Sequence, residues 1–222
     1  MKSIILLSPP AAGKGTQAQL LKEKYNIPHI SIGAILRNEV ERKTAVGLNI
    51  KEDMKKGNLI DDDIIMNLLI NRIKQKDCEK GFILDGFPRT LKQAKLYDKF
   101  LKENNMELNY VFHLKIDKET ARKRIVGRLI CSNCQAVYNE LLKETKPKAS
   151  GICDKCNGIL VRRKDDNNDV FENRYQLYLI ETMPVISYYQ NQNKLYEIDS
   201  SIDKNYTFKQ ITKILDIGGD YN

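Results

Sequence analysis

The stretch LLSPPAAGKGTQAQL runs from Leu6 to Leu20, and its reading decides the fold. It follows the phosphate-loop pattern GxxxxGK[ST] with differences: Ser8 stands at the first glycine position, Ala11 lies inside the loop, and Gly15 separates Lys14 from Thr16. The run Ser3 to Ser8 before it reads as a strand and Lys14 to Lys24 after it as a helix, the context such a loop requires. A helix start there supplies a positive dipole end and free backbone N–H groups. Lys14 reaches distal phosphates, and Thr16 offers a hydroxyl to a phosphate or to magnesium-bound water. The N–H donors survive a change from glycine to alanine. Ser8 and Pro9 each precede a proline and are pushed towards extended conformations that serine tolerates, whereas the Ala11 Cβ is expected near the approaching phosphate.

Outward from the loop, strand-like and helix-like runs alternate, which predicts an α/β fold: an open parallel sheet flanked by helices. Strands are expected at Ser3 to Ser8, His29 to Ser31, Phe82 to Asp85, Tyr110 to Ile116 and Leu195 to Asp199. Helices are expected at Lys14 to Lys24, Gly33 to Lys43, Ile50 to Lys56 closed by Gly57, Asp62 to Lys74, Leu91 to Glu103, and Lys118 to Leu129 capped by Asp117. A long helix is expected from Val170 to about Gln190, kinked by Pro184. Two segments break the alternation and read as insertions: a helical one over 31–60 and a cysteine-bearing, turn-rich one over 127–165. The core is then 1–30, 61–126 and 166–222.

A chain of 222 residues with 41% hydrophobic and 30% charged residues suits a soluble globular protein with a buried core. Apolar runs such as Ile4 to Leu7 are far short of a membrane span, and Met1 to Pro10 lacks a secretory signal's apolar core, so a cytoplasmic protein without membrane partners is expected. The formal charge of +8 favours anionic partners without saying which.

A second cluster is GFILDGFPRTLKQA, Gly81 to Ala94. Its strand ends at Asp85, where a carboxylate can hold magnesium through water beside the loop. Gly86 lets backbone approach a ligand, Arg89 offers a bidentate fork to phosphate, and Gln93 reads a base edge. The plain structural alternative is an ion pair between Asp85 and Arg89. A third cluster is basic. Arg124 and Arg128, four apart, are expected on one helix face, with Arg163 after the cysteine segment and Arg174 on the helix beyond it. Any one of these arginines reads as surface charge. Together with Lys14, Arg37 and Arg89 they suit several phosphates, where neutralisation and positioning supply the catalysis and no dedicated base is needed.

Cys131, Cys134, Cys153 and Cys156 form two CxxC pairs separated by 18 residues, the spacing of a four-thiolate zinc site. Such a site leaves no open coordination position, so the metal is expected to be structural. Cys78 stands alone as an inert thiol.

Taken jointly, GKGTQA, GFPRT, RIVGR, CSNC, CDKC and RRKDDN make the chain resemble the adenylate kinases of the long form with a zinc-bearing lid, over nearly its whole length. The resemblance implies reversible phosphoryl transfer from magnesium-ATP to AMP, giving two ADP, in a monomer. The 31–60 insertion binds the nucleoside monophosphate and the 127–165 insertion closes as a lid. It implies that Ala11, Ala12, Gly13, Lys14, Gly15 and Thr16 hold the ATP phosphates, with Tyr138 and Ile202 also at the ATP site. Arg124 stacks on the ATP adenine, and Arg128 and Arg163 clamp phosphates. Ser31, Ile32, Leu59 and Ile60 line the AMP site, Arg37 and Arg89 bind its phosphate, and Gly86 and Gln93 face its adenine. Arg163 and Arg174 also bind AMP, with Arg174 near the transferring group, and Asp165 and Asp166 resemble the family's hinge-side acidic pair. Lys14, Arg89, Arg124, Arg128, Arg163 and Arg174 form the implied catalytic set.

Ser8, Ala11, Ile32 and Ala34 depart from the family pattern. They leave open a kinase of another nucleoside monophosphate, or a weakened relative. A zinc ribbon that binds nucleic acid is the rival of a different class. The span from Arg128 to Asp165 holds eight basic and four acidic residues, but Tyr138 is its only aromatic. Aromatic interleaving is therefore slight, the segment sits inside an otherwise complete phosphoryl-transfer site, and no nucleic-acid partner is expected.

Overall fold

The computed structural model describes residues 2–163 and 165–218. Five strands form one parallel sheet: β1 (Lys2–Leu7), β2 (His29–Ser31), β3 (Phe82–Asp85), β4 (Glu107–Lys115) and β8 (Leu195–Asp199), in the order β2-β3-β1-β4-β8. The apolar run of β1 explains its central place. Ile4 and Leu6 pack with Leu21, Ile198 and Ile211 on one face, while Ile5 and Leu7 pack with Leu84, Tyr97 and Val185 on the other. A strand buried on both faces has no polar side to alternate with.

Helix α1 (Lys14–Tyr25) and helix α9 (Lys204–Ile217) cover the first face. Helix α4 (Asp62–Ile73), helix α5 (Leu91–Glu103) and helix α8 (Met183–Gln190) cover the second. Asp61 and Thr90 cap α4 and α5 by accepting backbone N–H bonds in their first turns. Strand β1 sits between β3 and β4, so the loops after β1, β3 and β4 open at the carboxyl edge where the strand order reverses, the usual ligand crevice of such sheets.

Helix α2 (Ile32–Glu41) and helix α3 (Ala45–Lys56) pack together in the first inserted segment. The start expected for α3 at Ile50 is corrected to Ala45. Thr44 accepts the Gly47 N–H as its cap, and a Cβ at Gly47 would lie 2.0 Å from the Glu39 carbonyl oxygen. The close approach of α2 thus requires the glycine that weakens the helical pattern.

The helix expected to reach Leu129 ends earlier. Helix α6 (Lys118–Val126) stops at Gly127 because Asn139 donates to its terminal carbonyl of Arg124 at 2.9 Å. The chain then enters an antiparallel sheet of β5 (Arg128–Cys131), β6 (Val137–Asn139) and β7 (Leu160–Val161), in the order β6-β5-β7. Arg124 and Arg128 therefore do not share a helix face.

The long helix expected from Val170 has three parts: α7 (Asn168–Leu177), a five-residue π turn over Tyr178–Thr182, and α8. Pro184 has no N–H for the carbonyl four residues back, so the ladder widens just before it. Helix α9 was absent from the expected elements. No helix among the described residues is long and apolar enough to cross a membrane.

Candidate active site

The loop after β1 turns twice through left-handed backbone, at Ala11 (φ 60) and at Gly13 (φ 92), which caps α1 without a side-chain bond. Glycine adopts this conformation freely; alanine does so at a cost of about 1 kcal/mol. Ala11 thus keeps the turn of the glycine it replaces, and its cost lies in the backbone as well as in the space its methyl takes. Lys14 folds back over the loop. Its Nζ donates to Ser8 Oγ at 2.7 Å and to the Ser8 carbonyl at 3.3 Å, while Ser8 Oγ donates to the Pro9 carbonyl at 2.6 Å. The proton of the serine hydroxyl is thereby committed and its lone pairs face the ammonium. Ser8 does more than tolerate an extended backbone.

Burial pushes the Lys14 ammonium down to about 8; Asp85 opposes the shift, and Arg89, Arg128 and Arg174 add to it. Asp85 ends β3 beside the loop, since a Cβ on Gly15 would lie 3.6 Å from its Oδ2. Burial works against ionisation of Asp85, but His29, whose Nε2 lies 3.3 Å from Oδ2, and the charge of Lys14 hold it below the usual carboxylate range. An ionised carboxylate at this place fits the hydration shell of a phosphate-bound magnesium ion. No ion pair joins it to Arg89 among the described residues, so the plain alternative fails.

Arg89 is anchored at three points. Its Nε donates to the Gly86 carbonyl (3.1 Å), its backbone N–H to Gln93 Oε1 (2.8 Å), and its carbonyl accepts from Thr182 Oγ1 (3.0 Å) in the π turn. The two terminal nitrogens have no protein partner among the described residues. Burial pushes this guanidinium down to about 10, reinforced by Arg174 and Arg37 against Asp85. Arg163 is likewise pushed down to about 10, first by burial and then by Arg128 and Arg37, and Arg37 is lowered by burial and by Arg128 and Arg174 against Asp165. Neither the Arg37 nor the Arg163 guanidinium makes a hydrogen bond among the described residues. Arg128 and Arg174 are held by acids: Arg128 Nε donates to Asp166 Oδ2 at 2.7 Å, its Nη2 pairs with Asp166 Oδ1, and Arg174 Nη2 meets Asp165 Oδ2 at 2.6 Å.

Lys14, Arg37, Arg89, Arg128, Arg163 and Arg174 thus form one network of mutually acting charges, and the terminal nitrogens of Arg37, Arg89 and Arg163 lack a partner among the described residues. Arg124 stands apart, with Nη1 and Nη2 donating to the carbonyls of Ser200 and Ser201 at 2.9 and 3.1 Å, beside exposed Ile202. Ser31 caps α2, Ile32 is buried, and Ile60 packs against the main core. Gln93 is buried and bonded within the protein. His29, Asp62 and Thr182 were not expected. Each acts through another residue, and a side chain that positions a second one has no motif of its own.

The four sulfurs of Cys131, Cys134, Cys153 and Cys156 lie within 4.8 Å of one another, and none of these cysteines is in a disulfide. Zinc bonds of about 2.3 Å give a tetrahedron with edges of about 3.8 Å; the Cys131–Cys156 and Cys134–Cys153 sulfurs are 3.4 and 3.5 Å apart. The Cys134 and Lys155 backbone N–H groups each point at a sulfur, at 3.4 Å. A Cβ at Gly158 would lie 2.9 Å from Cys131 Sγ. The donor set and the space both fit a thiophilic metal. Tyr138 belongs to this cluster: its Oη lies 3.5 Å from Cys153 Sγ and accepts the Asp154 N–H at 2.8 Å. This geometry lends no support to the ATP contact expected of Tyr138.

A parallel sheet with a phosphate loop after its central strand, an acid ending the neighbouring strand and a cluster of guanidinium groups without partners among the described residues defines a phosphoryl-transferring kinase of the phosphate-loop class. The family model for adenylate kinase matches residues 6–194. The chain is 42% identical over 213 residues to the adenylate kinase of Clostridium tetani, across 96% of this chain and 98% of that one. It is 44% identical over 214 residues to that of Archaeoglobus fulgidus, across 96% and 98% of the two chains. Identity to that of Clostridioides difficile is 44% over 217 residues, across 97% and 99%. The chain belongs to the adenylate kinase family and is a phosphotransferase.

Proposed function

We propose that the protein transfers the terminal phosphoryl group of magnesium-ATP to AMP, reversibly, giving two ADP. The observation that carries this reading is the set of half-buried cations, Lys14, Arg37, Arg89 and Arg163, each pushed down in pKa by loss of solvent and by its cationic neighbours. Such a cluster is unfavourable alone and is stabilised by a ligand with several negative charges. An AMP phosphate oxygen forms a bond to the γ-phosphorus as the bond from that phosphorus to the β,γ-bridging oxygen breaks, and ADP leaves. The acceptor phosphate is already an anion, so no side chain need remove a proton.

The loop N–H groups of Ala11 to Thr16 and Lys14 hold the ATP phosphates, and Arg124 with Ile202 flanks the ATP base. Arg37 and Arg89 orient the acceptor phosphate in a site lined by Ser31, Ile32, Leu59, Ile60 and Gly86. Arg128, Arg163 and Arg174 meet the charge of the transferring group. Asp85 would hold magnesium through water, and the ion would supply charge neutralisation to the phosphates. The segment over 31–60 carries AMP and that over 127–165 closes over ATP, on a core of 1–30, 61–126 and 166–222. Zinc on the four cysteines holds the lid together. The protein works as a cytoplasmic monomer. The comparisons lend no support to a different acceptor.

A coupled assay with ATP and each of AMP, GMP, CMP and UMP tests the reading. AMP should be phosphorylated with the highest kcat/KM; preference for another acceptor, or no transfer at all, overturns it.

A further inference from the structure

We propose that Asp62 is a specificity-determining residue: by fixing the orientation of the Gln93 carboxamide it makes the acceptor site take adenine and refuse guanine. The inference rests on the acceptor site proposed above and on the place the family resemblance gives Gln93 in it, facing the adenine.

Gln93 is 2% exposed, and its amide is gripped from two sides. Nε2 donates to Asp62 Oδ1 at 2.8 Å, and Oε1 accepts the backbone N–H of Arg89 at 2.8 Å. The two partners settle which end is which. A backbone N–H only donates and a carboxylate only accepts, so the reverse orientation sets oxygen against oxygen and donor against donor. Asp62 is itself held. Thr90 Oγ1 donates to the same Oδ1 at 3.2 Å while accepting the Gln93 backbone N–H at 3.1 Å, Lys92 Nζ lies 3.7 Å from Oδ2, and the Asp62 side chain is only 15% exposed. One N–H and one lone pair of the Gln93 amide remain without a protein partner among the described residues.

That remaining pair is what a purine edge needs. Adenine presents an acceptor at N1 beside a donor at N6; guanine presents a donor at N1 beside an acceptor at O6. A carboxamide meets either edge, but only by turning over. With the amide fixed, one purine is matched and the other finds donor against donor. AMP as acceptor makes adenine the match. Accommodating guanine would break the bonds to Asp62 and to the Arg89 N–H together. This selection needs no hydroxyl at residue 32, where an isoleucine stands.

The test is the ratio of kcat/KM for AMP to that for GMP in the wild-type protein, in Asp62→Asn and in Gln93→Leu, with melting curves for each. The asparagine amide offers either a donor or an acceptor, so turning Gln93 then loses only the Arg89 N–H bond, and Asp62→Asn should narrow the ratio about tenfold, the size expected for one charge-assisted hydrogen bond. Gln93→Leu should lower kcat/KM for AMP and narrow the ratio as well. If Asp62→Asn fails to fold, Asp62→Ser, whose hydroxyl also donates or accepts, is read for the same narrowing. An unchanged ratio in the folded Asp62 variant, with a collapsed ratio in Gln93→Leu, overturns the role of Asp62 and leaves the acceptor site standing. An unchanged ratio in Gln93→Leu overturns both.

Discussion

Lys14 shows how a single residue records the ligand its site is built for. Its ordinary pKa of 10.5 is pushed down to about 8 by burial first and by Arg89, Arg128 and Arg174, while Asp85 opposes them. The ammonium is the form that meets phosphate, so kcat/KM for ATP should fall above about pH 8. Bound phosphates favour the charged form, and the alkaline limb of kcat should lie at higher pH. The folded pKa is below the unfolded one, so this group also makes stability rise with pH between about 8 and 10.5. Steady-state kinetics from pH 6 to 10 check the first claim; a kcat/KM that stays flat to pH 10 refutes it. Ala11 gives a second test. Its left-handed φ of 60 favours glycine, although the greater freedom of glycine in the unfolded chain offsets part of the gain. Ala11→Gly should therefore raise Tm by about 1–2 °C and tighten ATP. A lower Tm would show that Ala11 is unstrained.

Among the elements, the junction of α3 with α7 couples the first inserted segment to the helix that carries Arg174. Gly57 closes α3 with φ 79, and a Cβ there would lie 2.9 Å from Val170 Cγ1 and 3.2 Å from Arg174 Cγ. Asn173 Nδ2 reaches the Lys56 carbonyl at 2.9 Å across the same contact. Gly57→Ala meets both the left-handed backbone and the neighbouring helix, so it should cost about 2 kcal/mol and lower turnover by displacing Arg174. Denaturant unfolding with steady-state kinetics reads both, and a variant as stable and as active as wild type would sink the coupling. The π turn works in a similar way: widening the helix before Pro184 places Thr182 against the Arg89 carbonyl.

In the whole molecule the cysteine segment is the part least able to stand alone. Its buried cluster comprises Cys131, Tyr138, Cys153 and Leu160, a core too small to order three short strands without a further tie. The protein should carry one zinc ion, and chelation or Cys153→Ser should lower Tm by several degrees and release the metal. Metal analysis of reduced protein with a melting curve under chelator measures this; absence of zinc together with an unmoved curve would exclude the metal's structural role.

Much of the protein was legible in the sequence because the signals were local. The apolar run before Lys14 placed the central strand, Gly57 closed α3, and two CxxC pairs announced their cluster, since a strand, a cap and a thiolate knuckle each depend on residues a few positions apart. The helix carrying Arg124 was read too long, because what ends it is the side chain of Asn139, brought back by a strand that periodicity does not reveal. Which arginines are paired was likewise beyond a linear reading. Arg128 and Arg174 meet Asp166 and Asp165, while the terminal nitrogens of Arg37, Arg89 and Arg163 keep no partner among the described residues. The grip of Asp62 on Gln93 and the return of Lys14 to Ser8 have the same origin. The sequence by itself determined the class of sheet, the loop and the cysteine cluster. Only the tertiary structure decided which charges are neutralised and which await a ligand, because pairing depends on through-space distances that the chain sets when it folds.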